Sequence, residues 1–438
     1  MKIILVVHQF FPESRAGTEV LTLEMAKEFV SRGHEVLVIA GKRNNGPTGH
    51  VSTEAYEGVR VARISVAMLP VNQRMSGHIT NSGVELVFRQ IVKEFHPDIV
   101  HFNHVMAISV SLITIAKKEG AYVIFSATDF WAICPTTKLY REWEGAVCTD
   151  TENAAACFRC LLPKSKRLPV WLIKGYLKLG KVLPIQGSVL SLANDLQVRN
   201  KLMMDAINTA DTVLVATRFM EELLVRHGAS ANKVKHLSFG VNIGSSQVTP
   251  KKERGGRPLR VGFIGSIVPV KGPQILLQAY EFLGPLKTQA EIRIYGDMES
   301  AGDFGDYLVA LARQAGPGIE FCGTFSHDEI GSVLAELDVL TVPSIWFENT
   351  PLVLCSALAS QTPVLVSDLG GMVEIVEEGI NGFSFSAGSA QELAKLLENF
   401  IADQYLTPSL SESMKRRHIK NSTEYAIEVE RLYLSLMR

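Results

Sequence analysis

The chain lacks an apolar run long enough to cross a bilayer, for which about 18 to 20 residues are needed. Its longest candidate, 105–116, is interrupted by serines. The apolar start, Met1–Val7, is too short for a signal peptide and is bracketed by Lys2, His8 and Pro12. These absences predict a soluble, cytoplasmic protein. There is no excess of charge: 44 Lys and Arg stand against 45 Asp and Glu, a net charge of −1. That argues against a general nucleic-acid binder. No G-x-G-x-x-G follows the first apolar strand, which disfavours a dehydrogenase, and no G-K-[ST] closes the loop 265–272, which excludes a P-loop hydrolase. No Asp-x-Asp pair occurs, so no catalytic metal is expected.

What is present is strand–helix alternation on a large scale. A length of 438 residues with 47% apolar content supports two or three domains with sizeable cores. Residues 3–7 form a continuous apolar run, as a buried parallel strand requires. The loop 8–17 ends at Gly17-Thr18, which opens a helix with Val20, Leu23, Ala26 and Val30 expected on its buried face. Gly33 ends that helix and 35–40 is the next strand, completing a βαβ unit. Gly17 serves either a tight turn or the close approach of a backbone amide to phosphate. Strands at 98–101 and 122–126 lead into Asn103-His104 and Thr128-Asp129-Phe130-Trp131. Polar residues just past strand ends are where open α/β sheets place ligands. His101 and His104 are therefore acceptor-side candidates, set against the reading of satisfied structural histidines. Asp129 supplies charge beside a reacting centre or caps its loop.

A linker rich in Ser, Gly, Lys and Pro spans 244–258, after which the pattern restarts. The strand 260–264 leads through Gly265 and Ser266 to Lys271-Gly272 and a helix opened by Pro273. Lys271 at a helix start can neutralise a diphosphate, or is a plain surface lysine. Gly296 follows another strand end and is a candidate lining residue for a base pocket. The organising stretch is 343–381, read as strand end, loop, helix, strand, Gly-Gly turn and helix. Asn349, Thr350 and Pro351 precede an apolar helix, and Thr350 is expected to cap it with Pro351 at the first helical position. Free N–H groups at such a start suit phosphate. Glu348 at its mouth either accepts hydrogen bonds from sugar hydroxyls or balances the helix dipole.

The run W-F-E-N-T-P-L-V-L, continued by T-P-V-L-V-S-D-L-G-G and E-I-V, resembles the donor-site signature of family 4 glycosyltransferases. These are retaining enzymes of GT-B fold. The resemblance implies an α/β protein with two Rossmann-like domains and an interdomain cleft. The expected division is 1–245 on the acceptor side, with a Cys-rich insertion at about 134–165, then 258–418 for the nucleotide sugar, and a C-terminal helix 419–438 packing back on the first domain. It implies transfer of a sugar from a nucleoside-diphosphate sugar to a glycan, lipid-linked or small-molecule acceptor, as in cell-surface polysaccharide biosynthesis. Glu348 would contact the donor sugar. Lys271, the Gly17 and Gly265 loops and the amides after Pro351, from Leu352 on, would meet the diphosphate. Three positions depart from the family pattern: Thr128 stands where a His is common, Ser266 where an Arg is usual, and Ser356 where a second Glu meets the ribose. A non-catalytic nucleotide-sugar-binding or partner protein is the rival reading.

Four of six cysteines, Cys134, Cys148, Cys157 and Cys160, fall close together. They supply either a structural zinc site or unrelated buried thiols. The stretch 164–181 carries Lys164, Lys166, Arg167, Lys174, Lys178 and Lys181 and no acidic residue. It reads as an amphipathic helix on anionic lipid, peripheral to the inner membrane face, or as a solvated helix packed on its domain.

Overall fold

The computed structural model describes residues 1–44, 47–68, 75, 77–151, 153–162, 168–182, 189–244, 251–416 and 418–438. Two compact units are present: Met1–Ser238 together with Ser422–Arg438, and Phe239–Asn421.

The first unit is built on β1 (Lys2–Val7), β2 (Glu35–Asn44), β3 (Val51–Tyr56), β4 (Val59–Ala67), β5 (Ile99–Phe102), β6 (Tyr122–Ala127), β9 (Thr212–Val215) and β10 (Val234–His236), with a small hairpin of β7 (Tyr140–Arg141) and β8 (Ala146–Val147) apart from them. The main sheet runs β10-β9-β6-β5-β1-β2-β4-β3. All its pairings are parallel except β3 on β4. Ile3 to Val7 are fully buried, because helices cover both faces of such a sheet and leave no polar side for alternation. The β3–β4 hairpin and the β7–β8 hairpin escape a reading tuned to βαβ units.

The helix Gly17–Ser31 buries Leu21, Leu23, Met25, Ala26 and Phe29. The expected face was Val20, Leu23, Ala26 and Val30, yet Val30 is 39% exposed. Val30 lies one residue from the end of the helix Gly17–Ser31. The C-terminal helix Ser422–Leu436 packs on the same helix, with the Phe29 and Tyr433 rings 5.6 Å apart. Glu430 fixes that contact, accepting from Arg32 Nε at 2.8 Å and meeting His34 Nε2 at 2.6 Å. The buried arc is therefore wider than one stripe.

The second unit holds β11 (Leu259–Ile264), β12 (Ala290–Tyr295), β13 (Ile319–Gly323), β14 (Val339–Val342), β15 (Val364–Ser367) and β16 (Gly382–Phe385). Its all-parallel sheet has the order β13-β12-β11-β14-β15-β16. Counted along this unit, that is the 3-2-1-4-5-6 order of the doubly wound nucleotide-binding fold. Strand order reverses between β11 and β14, so the loops leaving these two strands diverge and open a crevice. Gly382 begins β16, and buried Asn381 holds the turn before it by accepting from Glu377 N at 2.8 Å and donating to Ile375 O at 3.0 Å.

Candidate active site

The switch-point crevice of the second unit collects the residues of the organising stretch. After β11 the chain passes Gly265 and Ser266 to a short turn, Pro269–Lys271. After β14 it passes Ser344, Ile345 and Trp346 to Glu348. The two loops are tied together by Ile345 N, which donates to Val270 O at 2.9 Å. Gly272 permits this approach: its φ is +77°, and a Cβ there would lie 1.8 Å from Pro343 O. A side chain at this position would push the loops apart.

Glu348 is nearly buried, at 7% exposure. Its Oε1 gathers three donors: Lys271 Nζ at 2.7 Å, Ser344 Oγ at 2.8 Å and Trp346 Nε1 at 2.7 Å. The Lys271 ammonium also lies over the Trp346 ring, 5.3 Å from its centre. Charge-assisted bonds of this kind hold the carboxylate in one orientation. The Gly-Gly turn seats the Glu348 backbone from behind. Gly371 N donates to Glu348 O at 2.8 Å, and a Cβ on Gly370, whose φ is +60°, would stand 2.4 Å from the same oxygen.

The helix that follows runs Leu352–Ala359, with Pro351 itself as the N-cap and no side-chain cap. Thr350 does not cap it; its Oγ1 is buried with no hydrogen-bond partner. The N-cap residue of this helix thus supplies no side-chain acceptor. Asn349 is buried next to it, and Ser356 sits one turn in, 3% exposed. Gly265 N donates to Tyr295 O at 3.0 Å, and Gly296 packs against Gly265, where a Cβ would meet Gly265 O at 2.3 Å. Ser266 is exposed. The arrangement offers a fixed carboxylate, a cation and helix amides within one loop system. That combination suits a sugar bearing a phosphate.

In the first unit, a second polar group collects past the ends of β1, β5 and β6. His104 Nε2 lies 3.0 Å from Asp129 Oδ2, while Asp129 Oδ1 accepts from Trp131 N at 2.8 Å. Asp129 thus caps its loop and also pairs with a histidine. Burial opposes ionisation of Asp129, but His104, the Trp131 N–H and His8 together outweigh it and hold the carboxyl below its usual range. Thr128 Oγ1 donates to Asn103 O at 3.0 Å and accepts from Thr18 Oγ1 at 3.0 Å. Gly17 is the first residue of its helix and is exposed.

Sequence reasoning passed over two members of this group. The His8 ring centre lies 4.2 Å from that of His104, the two rings tilted by 40°, and its Nδ1 is 3.7 Å from Glu19 Oε1. Burial, then His104, drives His8 well below the ordinary histidine value. Glu19 is 1% exposed, and burial raises its pKa. A histidine at a strand end and a glutamate two residues into a helix were the available signals.

His101 requires a correction. Of its two readings, acceptor-side candidate and satisfied structural histidine, the second fits: it is fully buried, with Nδ1 2.6 Å from Tyr433 Oη and Nε2 2.7 Å from Ser126 Oγ. It is a satisfied core histidine that no acceptor reaches in this structure. The four clustered cysteines are free thiols. Lys164, Lys166 and Arg167 lie outside the described residues.

Residues 247–423 match the family described as Glycosyl transferases group 1, and residues 15–156 match Glycosyltransferase Family 4. A D-inositol 3-phosphate glycosyltransferase of Corynebacterium aurimucosum is 28% identical over 221 residues, 47% of this chain and 52% of that protein. The corresponding protein of Corynebacterium jeikeium is 26% identical over 246 residues, 52% of this chain and 58% of its own length. The chain therefore spans about half the length of the curated relatives it matches. Among solved structures, a sucrose-phosphate synthase of Thermosynechococcus elongatus superposes with a TM-score of 0.70 at 16% identity, covering 100% of this chain and 99% of that one. HepE of Anabaena, solved with UDP and glucose, superposes at 0.66 and 17% identity, covering 99% and 100%. These likenesses establish the fold: an α/β protein with the two Rossmann-like units of GT-B glycosyltransferases.

Proposed function

The chain belongs to the glycosyltransferases, its first unit matching family 4 and its second group 1, and from that premise we propose that it transfers a sugar from a nucleoside-diphosphate sugar with retention of configuration. The observation that carries this reading is Glu348, held by Lys271, Ser344 and Trp346 at the strand-order reversal of the second unit. In the reaction, the bond from the anomeric carbon to the diphosphate breaks and one to an acceptor hydroxyl oxygen forms. The hydroxyl proton leaves with the departing diphosphate. Glu348 orients the donor sugar by accepting from its hydroxyls. Lys271 and the amides from Leu352 on stabilise the charge that develops on the diphosphate. Within the second unit, Gly265, Ser266, Gly296, Asn349, Thr350, Pro351 and Ser356 contribute to the donor pocket. Thr128, Asp129 and His104 face the acceptor. UDP is the first base to try, since the Anabaena neighbour was solved with it. The acceptor class is a glycan, a lipid-linked sugar or a small polyol, met in the cytoplasm or at the inner membrane face.

One observation favours a second reading. Thr128, Ser266 and Ser356 stand where the family usually carries His, Arg and Glu, which fits a protein that binds nucleotide sugar without turning it over. Thermal unfolding with UDP, GDP, ADP and dTDP, each with and without magnesium, separates the cases when followed by assay of nucleotide release. A ligand at about a hundredfold over its dissociation constant adds roughly 2.7 kcal/mol to the folded state. A shift with one base and release of that nucleotide with an acceptor mixture supports the enzyme. A shift without turnover supports the binding protein, and no shift with any base overturns both.

A further inference from the structure

Three donors crowd one oxygen in the second unit. Lys271 Nζ, Ser344 Oγ and Trp346 Nε1 reach Glu348 Oε1 at 2.7, 2.8 and 2.7 Å. Among the described residues no hydrogen bond goes to Glu348 Oε2. A carboxylate oxygen offers about two lone-pair directions. Oε1 therefore carries one donor more than it needs, while its twin stays open. One of the three donors is surplus to orienting the carboxylate.

The geometry identifies which one. Ser344 and Trp346 precede Glu348 on its own loop, and Ser344 is fully buried. Their reach to Oε1 is set by the path of that loop. Lys271 comes from the other loop, and its side chain is 27% exposed against 9% for Glu348. Its ammonium sits on a flexible four-carbon stem. The stem is anchored, because Lys271 N donates to Val268 O at 3.1 Å and the adjoining Val270 O accepts from Ile345 N at 2.9 Å. The ammonium can leave Oε1 while its backbone stays beside Trp346. The Trp346 ring gives the charge a second hold, with Nζ 5.3 Å from the ring centre, within the range of a cation–π contact.

We propose that Lys271 has two positions, on Glu348 in the free protein and on the diphosphate in the complex, and that Trp346 is the positioning residue that holds Glu348 through the exchange. The proposal rests on the reading of this crevice as a nucleotide-sugar site. Once the cation has moved, the Trp346 N–H and the Ser344 hydroxyl are the two donors that keep Oε1 in place. Two donors match the lone pairs of that oxygen. Oε2 stays available to the sugar hydroxyls in both states. Trp346 acts through Glu348 and Lys271, not on the reacting atoms.

The test follows the Trp346 indole N–H by nuclear magnetic resonance in isotope-labelled full-length chain. Its signal is the one lost in Trp346→Phe. UDP, GDP, ADP and dTDP are added in turn, and inorganic pyrophosphate is the probe without a base. A bound diphosphate should shift this signal, because the ammonium leaves its neighbourhood. The N–H should exchange with solvent no faster than before, because its bond to Glu348 persists. The free Lys271→Met chain should show a shift in the same direction with no ligand present. Trp346→Phe keeps a ring face for the ammonium and loses the N–H. It should bind the same diphosphate within about threefold of the wild type, while kcat for nucleotide release falls by about tenfold or more, as for one hydrogen bond to a charged group. Ser344→Ala should split affinity from kcat in the same way, and it decides if Trp346→Phe is insoluble. If the wild type binds without turnover, the indole signal decides. A diphosphate that binds without moving that signal overturns this proposal alone. So does faster exchange of the N–H in the complex, wild-type kcat in both variants, or an equal loss of affinity and kcat, which marks a merely structural role. A wild type that binds none of the probes overturns the nucleotide-sugar reading and this proposal with it.

Discussion

Lys271 Nζ lies 2.7 Å from Glu348 Oε1, although the two residues come from loops that leave different strands of the second unit. The pair means that neither group waits as an isolated charge. Ser344 and Trp346 share the same oxygen, so the carboxylate is oriented before any ligand arrives. Glu348→Gln keeps the size of the side chain and an acceptor oxygen for these donors but removes the charge. It should lower turnover by about 100-fold or more, the scale expected for losing one preorganised electrostatic partner. Circular dichroism and the unfolding midpoint should change little. Wild-type turnover in this variant would remove Glu348 from the site.

Lys271→Ala is predicted to act differently. The carboxylate keeps two neutral donors, and the phosphate loses its cation. Affinity for a nucleoside diphosphate should fall by about tenfold or more, in line with one charge-assisted bond. The free protein should lose no more than about 1–3 kcal/mol, because Glu348 remains hydrogen-bonded. Calorimetric titration with UDP, or with whichever diphosphate binds, measures this. An unchanged dissociation constant would detach Lys271 from the phosphate.

Much of the second unit was legible because its signals are local. Continuous apolar strands and a Pro-opened helix each occupy a few residues, and Glu348 and Lys271 sit at their loop ends. The ion pair between them was not legible, since it joins positions whose contact depends on strand order. The same limit explains His101. Its place at a strand end suggested a ligand-facing role, but Tyr433, on the last helix, covers it. His8 and Glu19 were missed because a lone residue of either type is common, and only their burial beside His104 marks them. Thr350 failed as a cap because Pro351 takes that position itself.

The helix Val170–Val182 leads to a prediction about membranes. Ile173 is fully buried, while Trp171 is 72% and Val182 75% exposed, and Leu179 and Tyr176 are also open. Lys174, Lys178 and Lys181 are exposed on the same helix. An apolar strip flanked by lysines suits the surface of an anionic bilayer. The chain should cosediment with vesicles containing phosphatidylglycerol and not with pure phosphatidylcholine. Replacing the three lysines by glutamine should weaken binding by roughly 3 kcal/mol, at about 1 kcal/mol per lysine near the surface. Equal binding to both vesicle types, or none, would leave the strip without a membrane role.

The last prediction concerns pH and the core of the first unit. Burial lowers the His101 pKa to about 3, from an ordinary value near 6.5. A base whose pKa is lowered on folding stays neutral in the native state but takes up a proton once unfolded. Its contribution is therefore present above about pH 6.5 and is lost as pH falls towards 3. Between pH 6.5 and 5 the loss is roughly 2 kcal/mol, from about 1.36 kcal/mol per pH unit. His8, also lowered by burial, adds to the slope in the same direction. His101→Gln can still meet Tyr433 and Ser126 but cannot titrate. Urea midpoints measured from pH 7.5 to 5 should fall less steeply in His101→Gln than in the wild type, whatever its stability at pH 7.5. Tyr433→Phe should instead lower stability by about 1–3 kcal/mol at every pH, because it strips one partner from a buried imidazole. Parallel pH profiles for wild type and His101→Gln would show that this histidine is not buried neutral in solution, and would undo the argument that the last helix seals it.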